Sequence, residues 1–449
     1  MKNILIIGDI MLDHYIHVNI NKIANEAPIP VFSYHDEKYI LGGCGNVMQN
    51  MLQFNNTIHI ISVVGNDKYG KIIQDMTQSN LIIDCSRKTT VKTRIVADNK
   101  ILLRYDNEET QLIDNTIEQK IIDCFDSIFN ILDIVVFSDY NKGVLTQNTC
   151  QYIINKCNQH NKKTIVDLKH NFDYFKSVTI SKPNLNEAIS YCNRKHIINP
   201  DLMEIHMTIK SNLNCEHSIV TLGKNGISLL NNDKLFNSCY SSEDIIDVTG
   251  AGDIVLSVIS SLYGTMELEK ILDIACYLAT LSVKKLGTYY LSSDDIISAY
   301  KWANQTKSFC SNILYYLKKS NSSIVFTNGC FDILHIGHIT YLEQAKKLGN
   351  YLVVGINSDE SIKKLKGVTR PINKLDDRID FLKRFDFIDF IISFDDTTPL
   401  EVIKMIRPDI LVKGGDYDIN NIIGKEYAKK VLVLSYVEGK STTKILENI

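Results

Sequence analysis

Three groups of residues in this chain have the types and spacing for chemistry on phosphates. In Asp247-Val-Thr-Gly-Ala-Gly-Asp253 the small residues Gly250, Ala251 and Gly252 sit between two carboxylates, ahead of an apolar run over 254–263. The run predicts a buried helix. A glycine turn opening a helix gathers backbone N–H groups at the positive end of the helix dipole, which makes an anion site. Asp253 stands at that helix start, where a carboxylate beside a bound phosphate suits a base taking a proton from an attacking hydroxyl. A Gly-rich turn with an N-capping Asp is the plain alternative. The second group, His335-Ile-Gly-His338, sets two imidazoles three residues apart before a helix predicted over 340–347. Both rings can face one side there and help cradle a nucleoside triphosphate while its α-phosphate is attacked. A zinc pair would want a third ligand, and the HExxH spacing is absent; two structural histidines are the other alternative. The third group is Asn184-Leu185-Asn186-Glu187. Asn184 and Glu187 suit Mg²⁺ held through water near a nucleotide, because that ion needs few protein oxygens. They also read as a capped helix start.

The elements around these groups alternate between strand and helix. Strand-like runs at 4–7, 134–138, 164–167 and 180–182 each end in polar residues. That pattern predicts an α/β fold with a mostly parallel sheet, and ligands gather at the carboxyl ends of such strands. Asp9 and Asp13 fall there, able to grip sugar hydroxyls or merely to cap a turn. Gly42 and Gly43 permit close backbone approach to a ligand, and Asn46 offers a donor and an acceptor to a hydroxyl. Gly65-Asn-Asp-Lys-Tyr-Gly-Lys71 is no P-loop, since Ile72 stands where that motif requires Ser or Thr. Gly223 lies in a turn that suits a nucleotide or a hairpin. Further on, Lys364, Lys366 and Arg370 bring positive charge for substrate phosphate and pyrophosphate. Ser441-Thr442-Thr443 opens a last helix, whose hydroxyls and N–H groups suit a β- or γ-phosphate, or only an N-cap.

A chain of 449 residues with net charge −3, 45% hydrophobic and 22% charged, is long enough for two or three globular domains. The charge argues against a general binder of nucleic acid or membrane surfaces. Residues 1–8 read as a strand, not a signal peptide, and no run is long enough to span a bilayer. Eleven cysteines without a CxxC pair predict reduced thiols in a cytoplasmic protein.

On Gly42-Gly43 with Asn46, Asn184-x-x-Glu187 and Asp247-x-Thr-Gly-Ala-Gly-Asp253, residues 1–305 resemble the ribokinase-like (PfkB) carbohydrate kinases. On His335-x-Gly-His338 and Ser441-Thr-Thr-x-Ile445, residues 324–449 resemble the cytidylyltransferase-like nucleotidyltransferases, a smaller Rossmann-like domain. A linker and leading helix would fill 306–323. The resemblance implies Asp253 as catalytic base and Gly250–Gly252 as anion hole. It implies Asn184, Leu185, Asn186, Glu187 and Gly223 at the nucleotide, and Asp9, Asp13, Gly42, Gly43 and Asn46 at the sugar. In the second domain it implies His335 and His338 as catalytic, Asn328, Gly329, Phe331, Asp332 and Ser441–Thr443 at the nucleotide, and Lys366 at the substrate. Cys44, Gly45, Leu168 and the pair Tyr289-Tyr290 depart from the pattern, and the segment 424–430 is shorter than expected.

Asn25-Glu-Ala-Pro-Ile-Pro-Val31, Asp139-Tyr-Asn-Lys-Gly143, Thr327-Asn-Gly-Cys-Phe-Asp332, Leu365-Lys-Gly367 and Val412-Lys-Gly-Gly-Asp-Tyr417 extend the likeness over the whole chain. It resembles the bifunctional heptose kinase–adenylyltransferases of lipopolysaccharide precursor synthesis. That likeness implies ATP-dependent phosphorylation of D-glycero-β-D-manno-heptose 7-phosphate at C1. A separate phosphatase then removes the 7-phosphate, and adenylyl transfer from ATP to heptose 1-phosphate gives ADP-heptose and pyrophosphate. Mg²⁺ is the implied cofactor. The implied partners are ATP and heptose phosphates, with no nucleic acid or membrane, and a homodimer is left open. Two other readings stay open too: an inactive nucleotide-binding regulator, and a kinase–cytidylyltransferase for another sugar or polyol phosphate.

Overall fold

The computed structural model describes residues 1–434 apart from 80, 99, 232–233, 241–243, 304–310 and 416–417. It divides into two compact units, 1–291 and 292–449. The first is built on an eight-stranded sheet. Its order is Lys234–Ser238, Ile227–Asn231, His217–Thr221, Ile180–Lys182, Lys163–Asp167, Ile134–Ser138, Asn3–Gly8 and Thr57–Ile61. All neighbours pair parallel except those of Ile227–Asn231, which is antiparallel on both sides. Ile4, Leu5, Ile6 and Ile7 are all fully buried, because helices cover both faces of a parallel sheet and every side chain must be apolar. Helices Asn115–Ile128 and Gln147–Gln159 pack Phe125, Ile121 and Ile153 into the core on one side. Asp9, Asp139, Asp167 and Asn184 follow or end the central strands, so the fold collects polar groups along one edge.

A second sheet was not foreseen. Ile10–Ile23, Pro30–Gly43, Val91–Ala97 and Lys100–Asn107 form it, in the order 30–43, 10–23, 91–97, 100–107. Every residue of Lys100–Asn107 is exposed. A strand open to water leaves no apolar alternation to read, and Pro28 and Pro30 read as breaks whereas Pro30 begins a strand, where its missing N–H is tolerated.

The second unit carries a parallel sheet ordered Phe390–Phe394, Tyr351–Asn357, Ile324–Gly329, Ile410–Gly414 and Lys430–Leu434. Numbered along the chain from Ile324–Gly329 this is 3-2-1-4-5, and the order reverses beside Ile324–Gly329, the point where such sheets open a ligand crevice. Helix Ser293–Ala303 belongs to this unit, although the sequence reading closes the first domain with it. Tyr300 packs on Tyr316 of helix Ser311–Lys319 at 5.8 Å, and Lys301 pairs with the buried Asp389. Sequence pattern shows that a helix forms, not which core receives its apolar face.

Candidate active sites

Gly250, in the left-handed region at φ 80°, caps helix Ala251–Leu262. That conformation turns the chain so that Gly250, Ala251, Gly252 and Asp253 face a cavity of about 410 Å³. Asp253 is almost wholly buried, and two neutral donors hold it. Asn46 Nδ2 donates to Oδ2 at 2.7 Å, and the Tyr140 hydroxyl donates to Oδ1. Burial pushes the Asp253 carboxyl up to about 6, while the bonds from Tyr140 and Asn46 pull it back. Burial likewise keeps the Tyr140 hydroxyl well above its ordinary range, helped by the Asp253 charge, so it remains a donor.

Asn184 and Glu187 line the same cavity, as does Gly223; Leu185 and Asn186 do not. The capped helix start borders the cavity. Asn184 Oδ1 accepts from the Glu187 N–H at 2.9 Å, and Glu187 Oε2 accepts from the Asn184 N–H at 2.7 Å. The other carboxylate oxygen of Glu187 meets Lys169 Nζ at 3.0 Å. Two lining residues escaped the sequence reading, Lys182 and Asp167. Their buried ion pair of 2.8 Å stands near the helix start, with Lys182 Nζ 3.8 Å from where a Cβ on Gly252 would lie. Both end parallel strands, so the strand-end rule applied to Asp9 would have found them.

The sugar-side residues divide. Asn46 touches Asp253, and its own Oδ1 accepts from Asn50 Nδ2 at 3.0 Å. Asp9 is engaged by backbone. Its carboxylate accepts from the backbone N–H groups of Tyr140, Lys142 and Val144 at 2.8, 3.1 and 3.2 Å, which fixes the loop that carries Tyr140. Asp13 meets Arg94 Nη1 at 2.6 Å and the Thr288 hydroxyl at 2.8 Å. Gly42 lies against Asp13, and Gly43 sits so close to the Asp9 carbonyl that a Cβ would come within 2.3 Å. Tyr290, one of the departures, donates to the Leu41 carbonyl and accepts the Leu41 N–H, so it anchors the strand Pro30–Gly43.

In the second unit a cavity of about 420 Å³ is lined by Asn328, Gly329, Phe331, Asp332, His338, Lys366 and Lys413, among others. His335 is the N-cap residue of helix Ile336–Lys346, and its ring centre lies 4.0 Å from that of His338. Burial brings His338 down to about 4, and the neighbouring His335 and Lys366 push the same way. It is therefore neutral at neutral pH, a donor without a cation's desolvation cost. Asp332 is already bonded at both oxygens: Arg370 Nη1 meets one at 2.5 Å, and the N–H groups of Ile372 and Asn373 meet the other at 2.7 and 3.1 Å. Lys413, which the sequence reading did not single out, donates to Asn328 Oδ1. Burial brings its ammonium down to about 8. Ser441, Thr442 and Thr443 lie outside the described residues.

The model for pfkB family carbohydrate kinases matches residues 1–295, and the cytidylyltransferase-like model matches 326–447. Bifunctional protein HldE of Campylobacter fetus is 38% identical over 460 residues, covering 100% of both chains. Its counterpart in Helicobacter hepaticus is 36% identical over 468 residues, covering 99% of this chain and 96% of that protein. The chain belongs to the HldE family. It is a bifunctional enzyme, a carbohydrate kinase followed by a nucleotidyltransferase. Phosphofructokinase-2 from Escherichia coli superposes with a TM-score of 0.56 at 15% identity, over 68% of this chain and 99% of its own. Ribokinase from Thermotoga maritima gives 0.50 at 16%, over 67% and 100%. At those identities the two structures speak for the fold alone. The residues lining the first cavity fall within 1–295 and those lining the second within 326–447.

Proposed function

We propose that the first unit phosphorylates the anomeric hydroxyl of D-glycero-β-D-manno-heptose 7-phosphate with ATP. The second then joins AMP from ATP to heptose 1-phosphate, releasing pyrophosphate and forming ADP-heptose. The observation that carries the kinase half is Asp253, a buried carboxylate raised to about 6, at a helix start whose residues line the cavity. The sugar hydroxyl takes the place of one of its two donors. Asp253 accepts the hydroxyl proton as the new O–P bond forms. The N–H groups at 250–252 and the Lys182 ammonium face the γ-phosphoryl oxygens as charge spreads over them.

In the second unit the nucleophile is a sugar phosphate oxygen, already ionised, so the site needs no base. His335 and His338 donate to the α- and β-phosphates as the bond between them breaks, and Lys366 and Lys413 offset the pyrophosphate charge.

Both families work on ATP with a divalent metal, and we assign Mg²⁺. Among the described residues no cluster of three or more ligating side chains exists. Glu187, the adjacent carboxylate on the cavity wall, fits an ion that keeps its waters and takes its other oxygens from phosphates. When bound, it would neutralise triphosphate charge. The second sheet exposes Ile20, Tyr34, Leu103 and Tyr105, an apolar surface we assign to a homodimer. No described helix is long and apolar enough to cross a membrane. The ten described cysteines are unpaired, which supports residence in the reducing cytoplasm.

Mass spectrometry of products tests the reading. Heptose 7-phosphate with ATP should give the 1,7-bisphosphate, and heptose 1-phosphate should give ADP-heptose with ATP and far less product with CTP. Absence of the bisphosphate would refute the kinase half, and preference for CTP the other.

A further inference from the structure

Both carboxylate oxygens of Glu187 are already in use. Oε2 accepts from the Asn184 N–H at 2.7 Å, and Oε1 meets Lys169 Nζ at 3.0 Å. Giving up the first bond would undo the capping box. The second joins two long side chains on the cavity wall, and about a third of the Lys169 side chain is open to solvent, 35%. The oxygen that Glu187 can offer a metal through water is therefore the one Lys169 now holds. Two cations on one oxygen repel each other, so the metal and Lys169 compete for it.

Lys169 has another place to go. Its backbone N–H donates to Asp139 Oδ2 at 3.3 Å, which fixes the root of the side chain beside the loop that carries Tyr140. Its ammonium lies 5.2 Å from the centre of the Tyr140 ring, and the Tyr140 hydroxyl donates to Asp253. Burial disfavours the Lys169 charge, while Asp167, Glu187 and Asp253 all favour it. The ammonium thus stands between the carboxylate assigned to the metal and the one assigned as base. A triphosphate with its metal at Glu187 and its reacting end at Asp253 passes this point. Lys182 is locked in its buried pair with Asp167, whereas a half-exposed ammonium on a four-carbon stem can change partners.

We propose that Lys169 is a phosphate-binding residue of the kinase: it neutralises Glu187 while the cavity is empty, and on arrival of the nucleotide it moves to the terminal phosphate oxygens, leaving Glu187 to the metal. This rests on the assignment of Glu187 to the metal. Once moved, the ammonium adds to the field of the N–H groups at 250–252 and offsets charge on the transferring phosphoryl group.

The test uses the full chain. Calorimetry compares binding of Mg²⁺-ADP with that of the Mg²⁺ complex of a non-hydrolysable ATP analogue. Lys169→Met should weaken the analogue by about 10-fold at the first unit's site and ADP far less, because only the analogue carries the terminal phosphate. The kcat for phosphorylation of heptose 7-phosphate should fall by about 10- to 100-fold, and Lys169→Arg should restore most of it. The Mg²⁺ concentration for half-maximal phosphorylation should fall by about two- to fivefold in Lys169→Met, since a competing cation is gone. Adenylyl transfer by the same preparation should be unchanged. Equal losses for ADP and the analogue, a kcat within about twofold of wild type, or a raised Mg²⁺ requirement overturns the inference, the last because Lys169 would then only hold Glu187 in place. Glu187→Gln separates the two readings: an unchanged Mg²⁺ requirement there overturns the metal assignment and the inference with it, and a raised one leaves the Lys169 results to decide.

Discussion

The two cavities differ in the sign of what burial does. In the kinase unit it raises a carboxylate, Asp253, to about 6. In the nucleotidyltransferase unit it brings a histidine down to about 4 and a lysine to about 8. Each shift follows from burial, which disfavours the charged form, so the acid rises and the bases fall. An alcohol must lose a proton, and the proposed base for it is Asp253, held by two neutral donors. A phosphate arrives ionised, so its site needs donors only. The one acidic side chain among the described lining residues, Asp332, is tied to Arg370 and two backbone N–H groups.

The sharpest way to break this contrast is Asp253→Asn. Sugar phosphorylation should fall by about 10²- to 10⁴-fold, while adenylyl transfer by the same protein continues; near-normal phosphorylation in a coupled assay would remove the base from the first cavity. His335→Ala should do the reverse, lowering pyrophosphate release by about 10²- to 10³-fold with phosphorylation intact. The pH profiles sharpen the contrast. Kinase kcat/KM should fall below about pH 6 as Asp253 gains a proton, whereas His338, neutral down to about 4, imposes no such limb on adenylyl transfer. Tyr140→Phe removes a donor that lowers the Asp253 pKa. The acid limb should move to higher pH, with a loss of about fivefold at neutral pH. An unmoved limb would leave Tyr140 a packing residue. The smallest effect concerns stability. Lys301→Met removes one of two lysines from the buried Asp389, while Lys346 remains at 2.6 Å. The second unit should lose about 1 kcal/mol. Urea titration followed by each activity should show adenylyl transfer failing earlier and phosphorylation unmoved.

Much is legible in the sequence. The glycine turn before Asp253 and one of the paired histidines, His338, led to residues that line the two cavities, whereas His335, Asp9 and Asp13 are not among the lining residues. Other assignments could not be separated by spacing. Asp9 and Asp13 look equivalent in the sequence, yet one organises a backbone loop and the other pairs with Arg94, which lies 81 residues away. Tyr140 and Lys413 lie in stretches that carry the family likeness and Lys182 ends a strand, yet the sequence does not show that they meet Asp253, Asn328 and Asp167.

The sequence by itself determined the two chemistries, since a helix start built from small residues, a carboxylate and a histidine pair carry their physics locally. Only the tertiary structure decided which groups are free to meet a ligand. That turns on burial and on long-range partners: two neutral side chains hold Asp253, backbone amides take both oxygens of Asp9, and Arg94 and Thr288 share those of Asp13. It also decided that the helix after residue 292 serves the second core, because an amphipathic face does not name the surface it will cover.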